Sequence, residues 1–294
     1  MILPGATYLI TRRCTQRQFL LNPSVATNAL VTYCLAVATA RTGIKVHAFC
    51  FMSNHWHGVV TDPDARLPEF LEQFHRLLAR SQNAALRRHE NLWSSDKTSV
   101  VTLTTDDAIF DKIAYTVSNP TIAGLVCKPS RWPGVTSLAL GKVVSAKRPN
   151  TFFDPRGRLP SSQALEISLP ALRGCWDRAS FARRLGEEVT RYVTTARQRL
   201  LREGRRFVGV KAILRQRTLD KPRTEPTRSK FRPRVSSLNR RARRQAIDLL
   251  GAFYRAYRAA WEAWRGGNRS AIFPSGTYAL RVRAGVCCAP LHPT

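Results

Sequence analysis

Along residues 6–126 the spacing of apolar side chains switches repeatedly between a period of two and one near 3.6, and that order permits few folds. Residues 6–13 (ATYLITRR) alternate as a strand, and residues 25–42 (VATNALVTYCLAVATART) form an apolar helix that stops at Gly43. Residues 45–51 and 56–60 are strands around a tight connection at Met52, Ser53 and Asn54. A long amphipathic helix runs from Leu67 to about Arg88, followed by a short strand over 99–103. After Thr105 a helix opens with Asp106 and Asp107 in its first turn, where carboxylates complement the helix dipole. The order strand-helix-strand-strand-helix-strand-helix predicts an α+β fold, a ferredoxin-like split βαβ antiparallel sheet with helices on one face.

Charge narrows the choice of partner. The 294 residues carry a net charge of +29 and a pI near 11.3, an excess that points to a polyanion, nucleic acid first. Residues 1–140 hold 14 Lys/Arg and 9 Asp/Glu, net +5, which leaves 34 and 10, net +24, for residues 141–294. A membrane surface would attract the same charge, yet no stretch approaches the roughly 18–20 apolar residues of a spanning helix. The opening MILPGATYLITRRC lacks the basic-then-apolar order of a signal peptide, so a cytoplasmic protein with no membrane partner is expected. The seven cysteines (Cys14, Cys34, Cys50, Cys127, Cys175, Cys287 and Cys288) include no CxxC pair and are expected as reduced, mostly buried thiols.

The second half divides by composition. Residues 141–218 form a basic accessory region in which RRFVGVKAIL (205–214) is a strand or short helix. Residues 219–236, rich in proline and basic side chains, are expected as a flexible linker or nucleic-acid arm. In 237–294, Ile247, Leu250, Tyr254, Tyr257, Trp261 and Trp264 recur at helical spacing, and residues 272–282 are expected to close the chain against that stripe. The extension is thus expected to be basic and mostly helical.

Two motifs carry chemistry. In FMSNHWHGVV (51–60), His55 and His57 stand at i and i+2 of a strand, so both imidazoles project to one face while Trp56 points to the other. Two imidazoles so placed suit one divalent metal, Zn²⁺ included. In DKIAYTVSNPTIAGLV (111–126), Tyr115 and Asn119 lie four apart on one helical face, and Pro120 marks a kink or boundary. Alone, the second motif is equally an amphipathic core tyrosine and a helix-capping asparagine.

Together, SNHWH and YxxxNPxxAGLV resemble the single-tyrosine HUH transposases, the REP-associated tyrosine transposases in particular, and the resemblance covers roughly residues 6–140. Ser53 departs from it, standing where the family often has proline. The resemblance implies that residues 1–140 are the catalytic domain, that His55, His57 and Asn119 bind Mg²⁺ or Mn²⁺, and that Tyr115 is the nucleophile. It further implies single-stranded or hairpin DNA as partner, a nucleoid association when DNA is bound, and metal-dependent nicking and rejoining through a 5′-phosphotyrosine. Arg12 and Arg13 on the first strand and Arg76, Arg80, Arg87 and Arg88 on the long helix are candidates for holding phosphates, although a solvated helix face explains the last four equally well. Neither motif fixes whether the chain is a monomer or a homodimer. A catalytically retired nucleic-acid-binding protein of the same fold is the alternative, and a basic ribonucleoprotein component with a structural HxH is a third.

Overall fold

The computed structural model describes residues 1–138, 142–174, 177–223 and 233–290. It is a mixed α+β structure built on a seven-stranded mixed sheet. The strands are β1 (Ala6–Arg13), β2 (Lys45–Met52), β3 (His55–Asp62), β4 (Ser99–Leu103), β5 (Lys142–Lys147), β6 (Ser162–Ile167) and β7 (Val235–Ser236), in spatial order β5-β6-β2-β3-β1-β4-β7. The four strands read from the first half are contiguous, and each is antiparallel to its neighbours among them. The hairpin between β2 and β3 is tighter than expected, because β2 runs on through Met52 and only Ser53 and Asn54 make the turn.

Helix α1 (Val25–Thr42) starts where the Ser24 side chain accepts from the Thr27 amide and ends at Gly43, whose φ of 72° suits glycine. Helix α2 (Leu67–Ala85) stops a turn short of Arg88, with Arg87 already at a φ of 52°. Its first turn is held by the Asp62 carboxylate, which accepts from the Arg66 and Leu67 amides at 2.8 and 2.7 Å. Helix α3 (Asp106–Ile122) is capped by Thr105 and passes through Pro120, ending two residues beyond it. Pro120 has no N–H to donate to the Thr116 carbonyl one turn back, and the helix ends within two residues of it.

Helices cover both faces of the sheet, not one. Strand residues Tyr8, Ile10, Trp56 and Val60 pack under α1 and α2, whereas Ala48, Val59 and Leu103 pack under α3 and helix α4 (Arg178–Arg202). Apolar residues on both sides of the central strands require cover on both sides. Phe181 of α4, buried, meets Phe110 of α3 at 4.6 Å between ring centres. Among the described residues no helix is long and apolar enough to cross a membrane.

The sheet continues past the expected division at residue 140, which itself lies outside the described residues. β6 pairs in parallel with β2 at Val46 and Ile167, and β5 pairs with β6. The segment 205–214 resolves to a short helix, α5 (Val210–Leu214). Of the expected linker, residues 224–232 lie outside the described residues, while Val235 and Ser236 are β7, paired in parallel with β4. Helix α6 (Arg240–Arg265) packs through Tyr257, Ala260, Trp261 and Trp264 against Phe273 and Val286, as the stripe implied for its second half. Ile247 and Tyr254 are exposed, and Phe253 is buried in their place. Of the cysteines, Cys14, Cys34 and Cys50 are buried and Cys127 and Cys287 exposed; Cys175 lies outside the described residues.

Candidate functional site

Strand register assembles the site. Thr11 and Arg13 of β1 stand directly opposite His57 and His55 of β3, so four side chains at period-two spacing share the face that α3 covers. Trp56 points the other way, stacked on Phe51 at 5.4 Å and edge-on to Phe74 at 5.1 Å. Gly58 makes room for it, since a Cβ there would lie 2.5 Å from the Trp56 ring.

The imidazoles of His55 and His57 are 4.9 Å apart between centres, and the Tyr115 ring of α3 meets His57 edge-on at 5.3 Å. One turn on, the Asn119 amide lies close enough to His55 and to the Tyr115 phenol to raise the pKa of the first and lower that of the second. The two motifs read from sequence therefore converge at one place.

The tautomer of His55 follows from its neighbour. Asn54 Nδ2 donates to the Arg17 carbonyl at 3.0 Å, which turns Asn54 Oδ1 toward His55 Nδ1 at 2.7 Å. A carbonyl oxygen only accepts, so the proton sits on Nδ1 and Nε2 keeps its lone pair. His57 Nδ1 is held at 2.8 Å by the Thr11 hydroxyl, which can accept in the same way. The turn that Asn54 grips is bent, with Gln16 and Arg17 at φ of 47° and 60°. Side chains other than glycine enter that region at a cost of about 1 kcal/mol or more.

Electrostatics keep the rings neutral. Burial lowers the His55 pKa to about 4, with Arg13 adding to the effect and the nearby Asn119 amide opposing it. Burial, then His55, then Arg13 hold His57 well below its ordinary value. Burial raises the Tyr115 phenol, while the nearby Asn119 amide and then the Arg13 charge pull it back. Two neutral imidazoles with Nδ1 engaged, joined by an amide, are a donor set that a divalent ion accepts. No group of three His, Cys, Asp or Glu side chains suited to a metal occurs among the described residues.

Helix α4 supplies a second phenol. The Tyr192 ring lies 6.0 Å from Tyr115, but its hydroxyl donates to Asp111 Oδ1 at 2.7 Å. Asp111 also receives Lys112 at 2.8 Å and Arg191 at 3.0 Å. Burial and then Asp111 push the Tyr192 phenol up, so its proton is committed to that carboxylate.

The arginines separate by location. Arg13 is exposed beside His55, while Arg12 turns to the other face and donates to the Ser94 and Asp96 carbonyls. Arg76, Arg80, Arg87 and Arg88 belong to α2 and its end, across the sheet from Tyr115; Arg80 lies over the Phe153 ring and Arg88 reaches Glu90. Sequence reasoning missed Thr11, Asn54, Asp111 and Tyr192. Thr11 and Asn54 lay inside quoted motifs, and strand alternation would have placed Thr11 beside Arg13. Nothing in the sequence brings Tyr192 to Tyr115.

No family model and no curated protein matches the chain. Among solved structures, a REP-associated tyrosine transposase bound to a REP hairpin is similar at 19% identity and a TM-score of 0.37, over 47% of this chain and 79% of that one.

Proposed function

We propose that this chain is a metal-dependent single-strand DNA nuclease and ligase of the HUH transposase type, cutting and rejoining hairpin-flanked DNA through Tyr115. In this reading the segments β1-α1-β2 and β3-α2-β4, each spanning one intervening strand, are the ferredoxin-like core. The observation that carries the proposal is the convergence of Tyr115 and Asn119 of α3 upon His55 and His57 of β3, with the imidazoles 4.9 Å apart, the Tyr115 ring 5.3 Å from His57, and the Asn119 amide acting on the pKa of both His55 and Tyr115.

His55, His57 and the Asn119 oxygen would hold Mg²⁺ or Mn²⁺, which when bound neutralises charge on a phosphate's non-bridging oxygens. The rest is done by the chain. Tyr115 Oη gives up its proton to solvent and attacks phosphorus, the Oη–P bond forms as the bond from phosphorus to the 3′ oxygen breaks, and that oxygen takes one proton back from solvent to leave as a 3′-hydroxyl while a 5′-phosphotyrosine remains. A phenol is protonated at neutral pH and burial raises its pKa further, while Asn119 and then Arg13 pull it back toward the phenolate that must form. Thr11 and Asn54 keep the imidazoles oriented, and Asp111 holds the neighbouring phenol of Tyr192 out of competition. The covalent intermediate conserves the bond, so a 3′-hydroxyl reverses the step without ATP.

The test is covalent capture on labelled single-stranded DNA carrying a hairpin, with Mn²⁺ present. The wild type should give a band retarded by the attached fragment, with peptide mapping placing it on Tyr115, and Tyr115→Phe should give none. An adduct that survives in Tyr115→Phe, or maps to Tyr192, overturns the proposal.

A further inference from the structure

Beside His55 the chain builds a groove that neither motif accounts for. Residues 205–223 leave the end of α4, and the amides of Val208 and Gly209 donate to the carbonyls of Gly124 and Leu125 just beyond α3, at 3.0 and 2.9 Å. On the far side, the Phe19 amide donates to the Asp220 carbonyl at 2.9 Å, and Asn22 Nδ2 donates to the Gln216 carbonyl at 2.9 Å. Between these moorings Ile213 is fully buried against Cys50, Met52, Val126 and Trp132, beneath the β2–β3 hairpin that carries the histidines. The segment is therefore a strap pinned across the mouth of the site.

Under the strap lies an open groove of about 1390 Å³ with Asn54, His55 and Arg13 on its inner wall. Its basic lining is Arg13, Arg17, Arg205, Arg217, Lys221 and Arg223, and Asp220 is its acidic member. Arg13, Arg205, Arg217, Lys221 and Arg223 are exposed. Arg205 pairs with Glu203 at 2.9 Å and Arg217 with Asp220 at 3.7 Å, both at the surface, where such pairs are worth little and yield to a phosphate. Phe19 and Leu219 add apolar surface between the charges. Cations that track a groove, with an aromatic and apolar surfaces among them, suit a flexible polyanion with exposed bases.

We infer that the strap and the 13–19 turn form the channel that holds the single strand next to the scissile phosphate. This rests on the reading of the site as one that processes DNA. It assigns part of the strongly basic second half to the substrate itself, within reach of the chemistry, instead of to a detached arm.

The experiment uses the full chain carrying Tyr115→Phe, so that binding is read without turnover. Anisotropy of a labelled single-stranded oligonucleotide is followed from low to high salt, before and after adding Arg205→Ala, Arg217→Ala and Lys221→Ala together. Each phosphate contact to a single strand contributes about 0.7 to the log–log salt slope, so losing three should flatten it by about 2 and weaken binding at low salt. The matched control, Arg255→Ala with Arg258→Ala and Arg265→Ala on α6, removes equal charge from exposed positions outside the groove and should leave the slope in place. In parallel, an oligonucleotide containing 5-iododeoxyuridine should photocrosslink within residues 13–19 or 205–223, a readout that needs no variant to fold. Unchanged affinity and slope in the strap variant, equal losses in the control, or crosslinks confined to α2 each overturn the inference. An absent Tyr115 adduct with an intact strap effect would fail the chemistry alone; an adduct with no strap effect would fail the channel alone.

Discussion

Replacing His75 by glutamine should make the protein less sensitive to acid, although the residue lies on the far side of the sheet from Tyr115. His75 is buried on α2, and its Nε2 accepts the indole N–H of Trp56 at 3.1 Å. An indole N–H only donates, so Nε2 must stay unprotonated in the fold. Burial, with a smaller push from Arg12, lowers the His75 pKa from 6.5 to about 3. Because the folded value lies below the unfolded one, the folded state binds fewer protons through this group: its stability contribution is complete above pH 6.5 and is lost as pH falls from there toward 3. At pH 5 the unfolded histidine is almost fully charged and the folded one is not, so going from pH 7 to pH 5 costs about 2 kcal/mol, a figure set mainly by how far pH 5 lies below the unfolded pKa. His47, lowered to about 4, behaves the same way but contributes equally to both proteins. Glutamine keeps an acceptor for Trp56 and has no proton to gain. Urea unfolding at pH 7 and pH 5 measures both drops. The variant, less stable at pH 7, should lose about 2 kcal/mol less than wild type between the two. An equal drop in both proteins refutes the argument that this histidine is held neutral by its partner.

Thr11→Val removes the hydroxyl that engages His57 Nδ1 and should lower Mn²⁺ affinity by about 10–100-fold in titration calorimetry, with Thr11→Ser retaining most of it. Unaltered affinity in the valine variant would separate Thr11 from the metal. Phe181→Ala empties the contact with Phe110 and should cost about 3–5 kcal/mol in chemical unfolding. A loss under 1 kcal/mol would mean that α4 is not part of the cooperative core.

What the sequence made legible was local. The strands and helices of the first half lie within a few residues of where periodicity placed them, because each is specified by its own alternation and caps, as with Ser24 and Gly43 around α1. His55 and His57 were found because two residues on one strand must share a face. Their supports were not, since Thr11 reaches His57 only through the pairing of β1 with β3, which a single strand's pattern does not encode. The strap shows the limit most plainly. Its proline- and arginine-rich continuation hid the return of Gln216 to Asn22, a contact spanning 194 residues. The hydrophobic stripe on α6 failed for a related reason: helical spacing names a face but not how much of it a partner covers, and only its second half meets Phe273 and Val286.

The pairing of β7 with β4 also bears on how the chain is made. Residues 235 and 236 pair with Thr102 and Leu103 at the end of β4, so about 130 residues must be synthesised between the two. At roughly 5–20 residues per second the ribosome takes about 7–26 seconds over that interval. Throughout it, the outer backbone groups of β4 stand open on a nascent domain that already holds β1 and β3, and an open edge is a template for pairing with another chain. Overexpression should therefore favour aggregation during synthesis, and slower initiation, which spaces ribosomes along the message, should raise the soluble yield.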